Sequence, residues 1–244
     1  MGQLPAAQLL ETWECGLGLP PVLRTLTMLG APRETATVEE LANLTIGALD
    51  QQLLHLREQT FGGSLNGVTT CPACGEKLEM NLNIGDLYLN SKGQPPASLT
   101  LEQSGYTVEF RLPNGADLLA LEREADSNRD RMRLLDRCIL SARCETAEIP
   151  PADLTGEIVT AIAARMAEAD PQADILISLH CPQCAHTWRA PLDISSFFWS
   201  ELDAWAGQLL REVHAFALAY GWNEAEILSL SPTRRRIYLE MISQ

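Results

Sequence analysis

The chain has 244 residues, 46% of them apolar and 20% charged, and a formal charge of −14. That composition excludes a disordered chain, and so acidic a surface would repel a phosphate backbone, which argues against nucleic-acid binding. No run approaches the roughly 18 apolar residues of a membrane span and the opening stretch MGQLPAAQLLETWE lacks a basic export segment, so a soluble, cytoplasmic protein is expected.

The first 60 residues read as helices. LPAAQLLETWECG and PPVLRTLTMLGAP each close at Gly or Pro, and Thr37 with Glu40 forms a capping-box pattern ahead of an apolar run that stops at Gly62-Gly63. The period then changes. Leu78, Met80, Leu82 and Ile84 alternate with polar residues, as do Tyr106, Val108, Phe110 and Leu112 before an Asn-Gly turn signal. Helices are expected over roughly 116–140 and 153–169, and ADILISLHC reads as a strand. From Phe198 to Tyr220 apolar residues recur every three or four positions, forming one long amphipathic helix. Asn223 with Glu226 then caps a short helix, and Ser231-Pro232 starts the last one.

Seven cysteines in an unexported chain do not suggest a disulfide framework. Cys138 reads as a buried helical thiol, and Cys15 and Cys144 have no partner pattern. Two pairs remain, Cys71-Pro-Ala-Cys74 and Cys181-Pro-Gln-Cys184, at the same spacing 110 positions apart. Two thiolates separated by two residues can face one tetrahedral ion. Pro presets the turn, and Gly75 after the first pair permits a positive φ where the second pair has Ala185.

Because strand-like segments flank both turns, the spacing points to a zinc ribbon with one shared structural Zn2+ on Cys71, Cys74, Cys181 and Cys184. The 106 residues from 75 to 180 then form a long closed excursion. A thiol oxidoreductase is the rival reading, but it requires a helix after the first cysteine, and GEKLEMNLNI alternates with period two. Four free buried thiols, or two separate sites, are the bland readings. His186 is a substitute ligand in principle, although a solvated or stacked ring is expected there.

A P-loop, a G-x-G-x-x-G, a G-x-S-x-G and an H-x-E are all missing from the sequence, so no catalytic constellation is expected. HLRE at 55–58 reads as an ordinary polar helix face. Arg234, Arg235 and Arg236, in the first turn of the last helix, are candidate partner contacts. The competing reading for them is a solvated basic turn or pairing with the chain's own acids.

The expected fold class is α+β. A small zinc-ribbon-like antiparallel β core (64–193) carries a strand-helix insertion (about 86–173), between a helical N-terminal region (1–63) and a helical C-terminal region (194–244). A zinc-ribbon adaptor or nucleic-acid-associated regulator is the alternative from another class.

The stretches LHLREQTFG, CPACGEKLE, CPQCAHTWRAPLDISSFFWSELDAWA and AYGWNEAEILSLSPTRRRIYLEMI resemble the baseplate proteins of contractile phage tails and phage-tail-like injection particles. That family is named for the baseplate hub assembly chaperone of T-even phages. The resemblance implies a non-enzymatic role, as assembly chaperone or as structural component. It also implies hub or spike subunits as partners and a place in the cytoplasm of the producing cell or in the finished particle.

Overall fold

The computed structural model describes residues 4–33, 37–89, 96–124 and 130–242. The chain forms two compact units, one of Ala36–Ile194 and one of Met1–Thr35 with Ser195–Gln244.

The Ala36–Ile194 unit is mixed α and β with small antiparallel sheets. Helix α3 (Val38–Ala42) opens on the Thr37–Glu40 capping box, with both reciprocal hydrogen bonds made. Thr45 caps α4 (Ile46–Phe61), which stops at Gly62 in a left-handed conformation. Strands β1 (Ser64–Thr70) and β2 (Lys77–Asn83) form the first cysteine hairpin.

A four-stranded antiparallel sheet follows, in the order β3 (Leu99–Gln103), β4 (Tyr106–Phe110), β5 (Ile139–Cys144), β6 (Ala147–Glu148). Helices α5 (Gly115–Glu124) and α6 (Asp130–Cys138) lie between β4 and β5 in the chain, and α7 (Gly156–Ala169) follows β6. One face of this sheet is buried. Leu101, Val108, Phe110 and Ala142 pack with Leu135, Leu154, Ile158 and Ile162 in a single apolar cluster. Strands β7 (Leu176–His180) and β8 (Thr187–Pro191) form the second cysteine hairpin.

Two expectations change here. Of the helical stretch expected over roughly 116–140, positions 125–129 lie outside the described residues; α5 and α6 cover the rest as far as Cys138, and Ile139–Cys144 is an inner strand paired with both β4 and β6. RLLDRCIL has helical spacing, but pairing on two sides outweighs a weak local preference. The Asn-Gly after Leu112 does not close a hairpin. Asn114 accepts from the Asp117 amide and so caps α5, while a Cβ on Gly115 would sit 3.1 Å from Ala42.

Asp117 is buried beside that cap and held by Arg111, through bonds of 2.6 and 2.8 Å, and by Arg137 at 3.1 Å. Burial alone would raise its pKa. The Arg111 and Arg137 guanidinium groups and the Asn114 amide outweigh it and hold the carboxyl below the ordinary range.

The other unit is helical among its described residues: α1 (Ala6–Gly16), α2 (Pro21–Gly30), α8 (Ile194–Tyr220, of which Ser195 onward belongs here), α9 (Glu224–Ser229) and α10 (Pro232–Ile242). Its core takes Leu9, Leu10, Leu26, Met28 and Leu29 together with Phe198, Leu202, Ala206, Leu209 and Phe216 from the α8 stripe. Asn223 and Glu226 form the second capping box. Tyr220, Trp222 and Tyr238 make an aromatic cluster with ring centroids 4.8 to 5.9 Å apart. No helix among the described residues is long and apolar enough to cross a membrane.

Candidate metal centre

Each cysteine pair lies in the turn of a hairpin, and the two turns are built alike. In the first, the Cys71 amide donates to the Glu76 carbonyl at 2.8 Å and the Gly75 amide to the Cys71 carbonyl at 2.9 Å. In the second, the Cys181 amide donates to His186 at 2.8 Å and the Ala185 amide to Cys181 at 2.9 Å. Gly75 has φ +78° and Ala185 φ +59°, so a residue with a Cβ holds the left-handed position in the second turn.

The likeness extends along both strands. Gly67 lies opposite Met80 and Ile177 opposite Ala190; Thr70 lies opposite Lys77 and His180 opposite Thr187. Leu65 and Ile175, Cys71 and Cys181, and Ile84 and Ile194 are buried at matching positions. The repeat therefore runs over residues 64–84 and 174–194, with a constant offset of 110, well beyond the cysteines.

The four sulfurs all lie within 4.8 Å of one another. Two close contacts run from hairpin to hairpin, Cys71 Sγ to Cys184 Sγ at 3.7 Å and Cys74 Sγ to Cys181 Sγ at 3.6 Å. Four thiolates about 2.3 Å from one ion sit about 3.8 Å apart along the edges of a tetrahedron. The contacts match that edge and are too long for a disulfide. The arrangement is compatible with a metal site. Cys71 and Cys181 are buried, while Cys74 and Cys184 reach the surface.

Crowding shifts three of these thiols, Cys71, Cys74 and Cys184. For Cys71, burial works upward, but the Cys74 and Ala73 amides and the neighbouring sulfurs bring it down to about 7. For Cys74, the Glu76 amide works downward, but burial and the other three sulfurs push it up to about 12. For Cys184, the His186 amide again works downward, yet burial and the Cys181 and Cys71 sulfurs raise it. Charge on one of these sulfurs opposes charge on the next. A cation held at the centre would oppose that repulsion and favour the thiolate form of its ligands. The His186 ring stacks on Trp188 at 5.8 Å and lies outside the four-sulfur group.

Three residues not singled out in the sequence position the hairpins. Arg57, read there as part of a polar helix face, is 2% exposed and donates to the Gly62 and Ser64 carbonyls at 2.6 and 2.7 Å, fixing the turn from α4 into β1. Its place four residues after Leu53, on the apolar stripe of α4, was the available signal. Gln172, just before β7, donates to the Leu87 carbonyl and accepts from the Leu89 amide just after β2. Asp170 accepts from the Gly47 amide. Gln172 thus ties the chain leaving the first hairpin to the chain entering the second.

The three arginines of α10 part company. Arg235 is buried, 3.2 Å from the Glu212 carboxylate and 3.1 Å from the Leu230 carbonyl. Arg236 is exposed and lies 4.0 Å from Glu240. Arg234 is exposed too and shares one face of α10 with Ile237 and Met241, which are 44% and 58% exposed.

The family described as T4 bacteriophage base plate protein matches residues 33–199, more than half of the chain. The matched segment contains both hairpins and everything between them and stops in α8, so SPTRRRIYLEMI lies beyond it. No curated protein and no solved structure matches the chain.

Proposed function

The chain belongs to the T4 bacteriophage base plate protein family, and from its structural role there we propose that it is a permanent component of a contractile-tail baseplate, stabilised by one zinc ion. The observation that carries the reading is the convergence of Cys71, Cys74, Cys181 and Cys184 inside the matched segment. An all-sulfur donor set of this size suits zinc. When bound, zinc would supply a closed tetrahedral cross-link between the hairpins.

Four protein ligands leave no open position on the metal, so the role is to hold structure. The protein acts through contacts with other subunits, those of the hub or spike. Arg234 with Ile237 and Met241, and Arg236 beside them, are the partner-contact residues of this reading. Arg235 serves it by fixing α10 through Glu212. A rigid, metal-closed fold suits a lasting part better than a transient assembly chaperone.

The test is to tag the chain in its producing cell, purify finished particles and soluble lysate complexes, and identify their contents by mass spectrometry with metal analysis. A fixed number of copies in finished particles, carrying zinc, is expected. Absence from particles with binding to a hub or spike subunit in the lysate would make it a chaperone.

A further inference from the structure

Two sulfur contacts, of 3.7 and 3.6 Å, join one hairpin to the other, and each joins a buried cysteine to an exposed one. We propose that when the protein meets a peroxide outside the reducing cytoplasm, the four thiolates release the metal and become two cross-hairpin disulfides, Cys71–Cys184 and Cys74–Cys181. This rests on the zinc-stabilised baseplate reading, in which finished particles leave the cell.

Cys74 and Cys184 are the exposed residues of the two pairs, so a small oxidant approaches the group from their side. The exposed thiolate attacks hydrogen peroxide. Its S–O bond forms as the O–O bond breaks, leaving a sulfenic acid and hydroxide. The buried thiolate of the facing hairpin then attacks that sulfur. An S–S bond forms, the S–O bond breaks, and a second hydroxide leaves. Each disulfide consumes one peroxide, with two electrons passing from two sulfurs to its oxygens. With fewer than four thiolates the tetrahedral set is incomplete, and the remaining sulfurs would no longer hold a cation there.

Sulfurs starting 3.6 to 3.7 Å apart need only a small approach to bond. The hydrogen bonds of Gln172 to Leu87 and Leu89 hold the two hairpin bases together meanwhile. A bond across the hairpins closes the same long loop as the metal, whereas a bond within Cys71–Cys74 closes only a turn and leaves the hairpins unlinked. The device exchanges a metal staple for a covalent one.

The test uses the full chain, purified reduced with its zinc content measured, then titrated with hydrogen peroxide after the reductant is removed. Zinc release is followed with a chromogenic chelator, and disulfides are located by peptide mapping without reduction. Metal release together with peptides joining Cys71 to Cys184 and Cys74 to Cys181 is expected. In Cys74→Ser, the Cys71–Cys184 bond alone is expected. Bonds within Cys71–Cys74 and Cys181–Cys184, or oxidation to sulfinic acids without disulfides, would overturn the proposal. Cross-hairpin bonds in a protein that carries no zinc beforehand would uphold the pairing but overturn the exchange, and the zinc reading with it.

Discussion

The amide of Gly47 donates to Asp170 Oδ2 at 2.9 Å across 123 positions of chain, joining the first turn of α4 to the segment that leads into β7. A Cβ at Gly47 would lie 1.9 Å from the other carboxylate oxygen and 2.9 Å from the Ala173 amide nitrogen. Gly47→Ala is therefore expected to destabilise the protein by about 2–4 kcal/mol, through overpacking and loss of the helix-start acceptor. Asp170→Asn, which keeps an oxygen there, should cost less. Urea unfolding of both variants is the check, and equal losses would refute the steric argument.

Asp50, on α4 close to Asp170 and Asp193, has its pKa raised to about 7 by burial and by those two carboxylates. A raised folded pKa favours the native state fully only below the unfolded value near 3.8. That advantage fades as pH rises through about 7, where the carboxyl must ionise beside two others. Asp50→Asn should therefore stabilise the protein at pH 8 by about 1–2 kcal/mol relative to its effect at pH 4, a sum discounted for partial solvent access. Thermal melts at the two pH values, compared with wild type, would show it; a gain independent of pH would contradict it.

With the proposed zinc in place, chelation by a strong zinc ligand, or Cys→Ser at any one of positions 71, 74, 181 and 184, should remove it and cost several kcal/mol. Cys138 is buried in the inserted sheet region, away from the four sulfurs, and its thiol is pushed up to about 11 by burial and Asp117. Cys138→Ser should keep the zinc. Metal content and melting temperature measured together distinguish the two classes.

Ala185 and Gly75 occupy the same left-handed position in the two repeated turns. Ala185→Gly should relieve strain and stabilise by up to about 1 kcal/mol, and Gly75→Ala should cost about as much, since nothing lies within 4 Å of the added Cβ. Opposite signs in denaturant unfolding are the expected result.

Arg235→Ala removes a buried cation from Glu212 and the Leu230 carbonyl and should destabilise by about 3 kcal/mol. Arg234→Ala and Arg236→Ala should change stability by no more than about 0.5 kcal/mol, since both side chains are exposed. In the proposed function these two variants lower incorporation into particles. Particle yield set against melting temperature separates contact from folding.

The cysteine spacing, the period-two strands beside it and the capping residues Thr37 and Asn223 were legible because each is a short-range pattern with one local solution. Ile139–Cys144 was not, because a six-residue strand following a helix without a break is decided by its neighbours β4 and β6. Arg57, Asp117 and Asp170 escaped for the opposite reason to the cysteines. A buried charge is identified by what encloses it, and their partners include carbonyls, guanidinium groups and an amide that no motif marks. Of the repeat at an offset of 110 only the cysteine pairs were read; Leu82-Asn-Ile84 and Leu192-Asp-Ile194, which follow the two pairs at equal distance, went unread. Outside those positions the two copies share few residue types, and strand register is what shows the likeness.

Joining the hairpins at their tips also changes how the chain would carry load. In the proposed function, a pull arriving along α4 would enter β1, cross the sulfurs through the zinc or the two disulfides, and leave by β8. The 106 residues from 75 to 180 hang on a closed ring and feel little of that tension. In the proposed function, as a part of a machine that works by contraction, the sulfur centre would be a mechanical shunt, and the inserted sheet would be free to keep its shape under stress.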